Sequence, residues 1–157
     1  MAQQLWMLRH AEAVPHDTKP DTERELTPRG RRQADAAGAA LAALGEGFVA
    51  CYTSPKVRAR ETAELACAHL NLEPIHDDAL ADGFSRVDAL ALLEAHDADA
   101  HILIVGHEPS FSQVVYDFTG GRVDFKKGGI AALRASRTAG ELLVMLRPKE
   151  LEALRRA

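Results

Sequence analysis

Apolar and polar positions alternate in blocks along this chain. Gln4 to Leu8 is a short, unbroken apolar run that stops at Arg9-His10, the pattern of a strand buried on both faces. A charged stretch with Pro15 and Pro20 makes Glu12 to Leu26 a loop. Thr27-Pro28 then opens a helix, with a hydroxyl at the cap and proline at the first helical position. Ala34, Ala37, Leu41 and Leu44 recur at helical spacing, and Gly45 and Gly47 end the helix. A second strand is predicted over Phe48 to Tyr52, a helix from Val57 to Leu70, and a short strand over Glu73 to His76. Ser85 caps a further helix, with Asp88 placed for a capping box. His101 to Val105 is the clearest strand of all and ends at Gly106-His107-Glu108-Pro109, followed by a helix to about Phe118. Two strands, Ile130 to Leu133 and Glu141 to Leu146, and a helix over Lys149 to Arg156 complete the chain.

Strands alternating with helices predict an α/β three-layer sandwich with a mostly parallel central sheet flanked by helices. The length of 157 residues fits one domain, residues 1–157, and 28 alanines account for much of the 46% apolar content. The net charge of −4 and 5% aromatics exclude a nucleic-acid-wrapping or base-stacking protein. No apolar stretch approaches a membrane span, and the first residues have neither the basic start nor the apolar run of a signal peptide, so none is expected. Two cysteines, Cys51 and Cys67, read as small buried hydrophobes, so a cytoplasmic setting is expected.

Three strand ends carry chemistry. Arg9-His10 follows the first strand. Ser54-Pro55-Lys56-Val57-Arg58-Ala59-Arg60-Glu61-Thr62 follows the second, and Gly106-His107-Glu108-Pro109 the fourth. In open α/β sheets ligands bind beyond the carboxyl ends of the strands, so parallel pairing would bring these segments together. Two histidines and two arginines there suit phosphate handling. Lys56 reads as solvated, Arg60 as facing away, and His107 has an alternative as a helix cap near Pro109. His16, His69, His76, His96 and His101 default to surface or structural positions. No zinc spacing and no nucleotide-binding loop occurs, so a metal-independent mechanism without cofactor is expected.

The motifs Leu8-Arg9-His10-Ala11, Glu25-Leu26-Thr27-Pro28-Arg29-Gly30, Ser54 to Ala63 and Gly106 to Pro109 resemble, in this order, the histidine phosphatase superfamily, with its phosphoglycerate mutase-like fold. Within it the chain is similar to the small SixA-like phosphohistidine phosphatases. The resemblance implies that His10 is the nucleophile and that Arg9, Arg58 and His107 clamp the phosphate oxygens. Larger members place an acidic group two positions after a leucine in the segment between the motifs that here are Ser54 to Ala63 and Gly106 to Pro109. Leu80-Ala81-Asp82 has that spacing, which makes Asp82 the tentative general acid, with an ordinary loop residue as the alternative. Glu12 and Glu108 are the other nearby carboxylates. The implied substrate is phosphohistidine on a protein. Small phosphate esters or polyphosphate, and a non-catalytic phosphate-binding domain, are the alternatives.

Overall fold

The computed structural model describes residues 2–156. Its sheet has six strands in the order β3-β2-β4-β1-β5-β6: β1 (Gln3–Arg9), β2 (Ala50–Thr53), β3 (Ile75–His76), β4 (His101–Gly106), β5 (Ile130–Ala135) and β6 (Gly140–Leu146). β1 to β4 are mutually parallel, whereas β5 runs antiparallel to both β1 and β6. The helices are α1 (Pro28–Leu44), α2 (Val57–Cys67), α3 (Arg86–Glu94), α4 (Ser110–Thr119) and α5 (Pro148–Arg156). This is the expected three-layer architecture.

The strict alternation of side chains along a strand sorts β1 between two cores. Leu5 and Met7 pack with Ile102, Ile104, Phe111 and Val114 under α3 and α4. Trp6 and Leu8 pack with Leu41, Leu103, Val105 and Leu151 under α1, α2 and α5. The alanines have a structural reason on this second face. A Cβ on Gly38 of α1 would lie 2.6 Å from the Ala66 backbone of α2, so at this point the helices approach closely through small residues.

The local signals operate as read. Thr27 accepts the Gly30 N–H at 3.0 Å, and Ser85 and Asp88 form a reciprocal capping box. Two elements are shorter than predicted. β3 holds two paired residues at the sheet edge, and α2 stops at Cys67, after which the chain turns through Asn71 with φ of 54°. Cys51 and Cys67 are buried and free. Among the described residues no helix is long and apolar enough to cross a membrane.

Candidate active site

Parallel pairing carries the ends of β1, β2 and β4 to one edge of the sheet. Arg9 stands level with Gly106, and Thr53 with Val105. Two backbone bonds extend the alignment past the strands, from His10 N–H to Gly106 O (2.9 Å) and from Ser54 N–H to Val105 O (3.0 Å). The side chains of His10, Arg58 and His107 are therefore brought together as a buried cluster, each less than 10% exposed. The His10 and His107 rings lie 5.2 Å apart. α1 is seated against the same region. Thr27 N–H donates to Glu12 O at 3.0 Å, and a Cβ on Gly30 would come within 2.0 Å of that oxygen.

The tautomer of His10 follows from one contact. Its Nδ1 lies 2.8 Å from the carbonyl oxygen of Ala11. A carbonyl can only accept, so Nδ1 carries the proton and Nε2 keeps its lone pair. Thr62 of α2 fixes this turn of backbone by accepting the Ala11 N–H at 3.1 Å while donating to Arg58 O at 2.7 Å. Burial, aided by the nearby cationic Arg58 and Arg9 and by His107, pushes His10 down to about 2 against the Ala11 bond that favours the charged form. The ring is thus neutral and nucleophilic at any physiological pH.

His107 is lowered to about 3, first by burial and then by Arg58 and Lys56. Its Nε2 lies 2.8 Å from Ser54 Oγ, and that oxygen also accepts the Lys56 N–H at 3.2 Å. With the hydroxyl proton of Ser54 donated to Nε2, the neutral ring carries its own proton on Nδ1. That nitrogen is buried without a protein partner, as are Arg9 Nε and Arg58 Nε. Burying donors without acceptors is costly. Among the described residues, unpartnered nitrogens on three residues around His10 would suit a tetrahedral oxyanion, whose oxygens accept from N–H donors.

The remaining arms of the arginines are fixed. Arg9 Nη1 donates to Phe125 O at 2.7 Å. Arg58 Nη1 donates to Asp21 O at 2.7 Å, and its Nη2 lies 3.3 Å from Asp21 Oδ2. Asp21 sits in a single 3-10 turn of the 12–26 loop, which is strapped down by Arg24 bonds to Asp21 Oδ1 and to Val14 O. Burial opposes the ionisation of Asp21, but Arg58, Arg24 and Lys56 outweigh it and hold the carboxyl at about 2.

Two expectations change here. Lys56 is not solvated. Its side chain is only 11% exposed, and its Nζ sits between Asp82 (2.8 Å) and Asp21 (3.5 Å). Asp82, the tentative general acid, is 85% exposed. The hydrogen bond and charge of Lys56 lower its pKa, so it is held ionised rather than ready to donate a proton. The geometry speaks against that role. The alternative of His107 as a cap fares no better, since Glu108 caps α4 by accepting Ser112 N–H at 2.7 Å. Arg60 pairs with Glu64 on the helix surface.

The buried histidines impose a pH signature on stability. Unfolded, each takes up a proton near about 6.5. Folded, they resist protonation until about 2 and about 3. Below about 6.5 the unfolded state binds more protons, so stability is lost as the pH falls. Thermal unfolding should therefore shift downward between about pH 7 and pH 5, above the range where most carboxylates titrate. His107→Asn should flatten that slope. An unaltered slope in the variant would show that His107 is not the group responsible.

Known proteins bear on this arrangement. The family model for the histidine phosphatase superfamily (branch 1) matches residues 5–86. An uncharacterized protein of Picosynechococcus is 35% identical over 94% of this chain and 98% of its own. The mitochondrial serine/threonine-protein phosphatase PGAM5 of Xenopus laevis is 36% identical over 50% of this chain, which is 29% of that protein. In fold, the protein histidine phosphatase SixA complexed with tungstate matches with a TM-score of 0.84 at 23% identity, over 94% of this chain and 99% of that one. A phosphoserine phosphatase of Entamoeba histolytica bound to phosphoserine matches with a TM-score of 0.74 at 16% identity, over 95% and 99%.

Proposed function

The chain belongs to the histidine phosphatase superfamily, and from that premise we propose that it is a metal-independent phosphatase that hydrolyses phosphohistidine on a protein, with residues 1–157 forming one catalytic domain. His10 Nε2 attacks phosphorus in line. The bond from phosphorus to the substrate ring nitrogen breaks, and its electron pair returns to that nitrogen. With its other nitrogen already protonated, the substrate ring leaves as neutral imidazole. Water then attacks the phosphoryl group on His10, the P–N bond breaks, and phosphate departs with the proton lost to solvent. The Nδ1–H bond to Ala11 persists through both steps and stabilises the positive charge of the phosphorylated ring. Arg9, Arg58 and His107 Nδ1–H stabilise the equatorial oxygens, where positioning and electrostatics supply most of the acceleration.

One observation carries the substrate class: among the described residues, Asp82, Asp21, Glu108 and Glu12 are each held by a cation or a hydrogen-bond donor. Asp82 is ionised by Lys56 and Asp21 by its cluster of cations. Glu108 is spent on the α4 terminus, and Glu12 accepts from Thr27 Oγ1 at 2.6 Å. An ester's alkoxide needs a general acid worth about 10²–10⁴-fold. A protonated phosphohistidine does not. The segment between β3 and β4 supports the same reading, since it holds one 3-10 turn and the nine-residue α3, with no insertion to enclose a small substrate.

The test compares a histidine-phosphorylated protein with an alkyl phosphate ester in the absence of added metal. A strong preference for the phosphoprotein is expected, and an ester cleaved equally well would overturn the substrate class while leaving the phosphatase. Asp82→Asn is expected to alter both rates by less than about threefold. A loss near the full value of a general acid, about a hundredfold, on the ester alone would restore Asp82 to that role.

A further inference from the structure

An open groove of about 720 Å³ includes Arg9, the residue before His10, in its lining. Arg29 of α1, Lys126 and Lys127 of the loop before β5, and Arg147, Lys149 and Arg156 at the two ends of α5 line it. Against them stand Glu12 and Glu152, in a chain whose net charge is −4. Partial neutralisation comes from the ion pairs Arg29–Glu12, Lys126–Asp124 and Arg147–Glu150. Lys127 and Lys149 make no ion pair among the described residues. Like charges gathered in one concavity repel, and an anionic partner relieves that repulsion.

The groove is tied to the catalytic backbone. Gly128 N–H donates to the carbonyls of both Arg9 and His10, at 3.1 Å each, and Arg9 N–H donates to Gly129 O at 3.1 Å. Lys127 is therefore one residue from the anchor that holds the nucleophile's own backbone. Apart from Arg9, the cations stand at the ends of long exposed side chains rather than converging as buried donors. That form suits an extended carboxylate-bearing surface better than a small condensed phosphate. Among the described residues no aromatic side chain lines the groove for stacking of bases.

We propose that this groove docks the acidic face of the phosphoprotein substrate, with carboxylates flanking the phosphohistidine meeting Lys127 and Lys149 while the phosphoryl group enters at His10. The proposal rests on the phosphohistidine reading above. Exposed charges of this kind add little static affinity one by one. They accelerate encounter with a face of opposite sign and set its register.

The test uses two phosphohistidine peptides of equal length, one flanked by glutamates and one by glutamines, together with free phosphoramidate. Lys127→Glu/Lys149→Glu should lower kcat/KM on the glutamate peptide by about tenfold to a hundredfold at low salt, within the range of electrostatic steering. The loss should shrink in about 0.5 M salt. The glutamine peptide and phosphoramidate should change by less than about twofold. Lys127→Gln/Lys149→Gln should show a smaller loss in the same direction. Equal losses on all three substrates, or none on the glutamate peptide, would overturn the proposal. So would competition by tripolyphosphate that exceeds that of a glutamate-rich peptide and vanishes in the double variant. If the wild type cleaves neither peptide, the phosphohistidine reading has failed, and direct binding decides the groove separately. Salt-sensitive binding of the unphosphorylated glutamate peptide, lost in the charge-reversed variant, supports it, and no such binding overturns it.

Discussion

His10→Ala is expected to remove turnover, with kcat/KM falling about 10⁴-fold or more, because the reaction passes through a bond to its Nε2 and nothing else can form that bond. Ser54 Oγ is engaged with His107 and with the Lys56 backbone. The His107 Nε2 is taken by Ser54, and in that tautomer its Nδ1 is a donor. Cys51 and Cys67 are buried in the core under α1 and α2. Quenched wild-type enzyme should carry a phosphoryl label that is lost in acid and survives base, as a phosphoramidate does. The variant should carry none. Residual activity within about a hundredfold of wild type would remove His10 as nucleophile.

Much of this site was legible because its parts lie at the ends of unmistakable strands. The apolar runs ending at Arg9-His10 and at Gly106-His107 had to be buried, and burial in a parallel sheet aligns their ends. What the sequence withheld depends on approach between distant segments. Lys56 reads as an exposed charge at a helix entrance, and only the 12–26 loop folding back with Asp21, together with Asp82, shows why it is buried. The hydrogen bond between Ser54 and His107 spans 53 positions and leaves no local signal. Asp82 has the expected spacing from a leucine, but its ion pair with Lys56 is a tertiary contact that no spacing announces. The basic groove was invisible for a similar reason, since its cations come from α1, a loop and α5, each an ordinary charged surface on its own. The single 3-10 turn at Asp21 and the shortness of β3 reflect edge positions, where few neighbours impose a pattern.

Arg58→Ala is expected to cost about 10²–10³-fold in kcat/KM, the usual loss when one preorganised donor to a developing oxyanion is removed. Most of it should fall on kcat, because the equatorial oxygens draw most on the guanidinium when phosphorus is between nucleophile and leaving group. Arg58→Lys should recover only part of the activity. A lysine replaces the charge but not the planar fork, and here the fork works in two directions at once. Its two terminal nitrogens hold Asp21 of the strap while the buried Nε has no protein acceptor. An ammonium cannot divide itself in that way. The double duty raises the question of whether a loss in Arg58→Ala reports the phosphate or the strap, and Asp21→Asn separates them. It breaks the ion pair with Arg58 and Lys56 but leaves the guanidinium, and the Asp21 backbone carbonyl that receives the shorter bond remains. If Arg58 acts on the phosphate, Asp21→Asn should stay within about tenfold of wild type while Arg58→Ala falls well below it. Equal losses in the two variants would mean that Arg58 serves mainly to hold the loop, and the clamp would then rest on Arg9 and His107 alone.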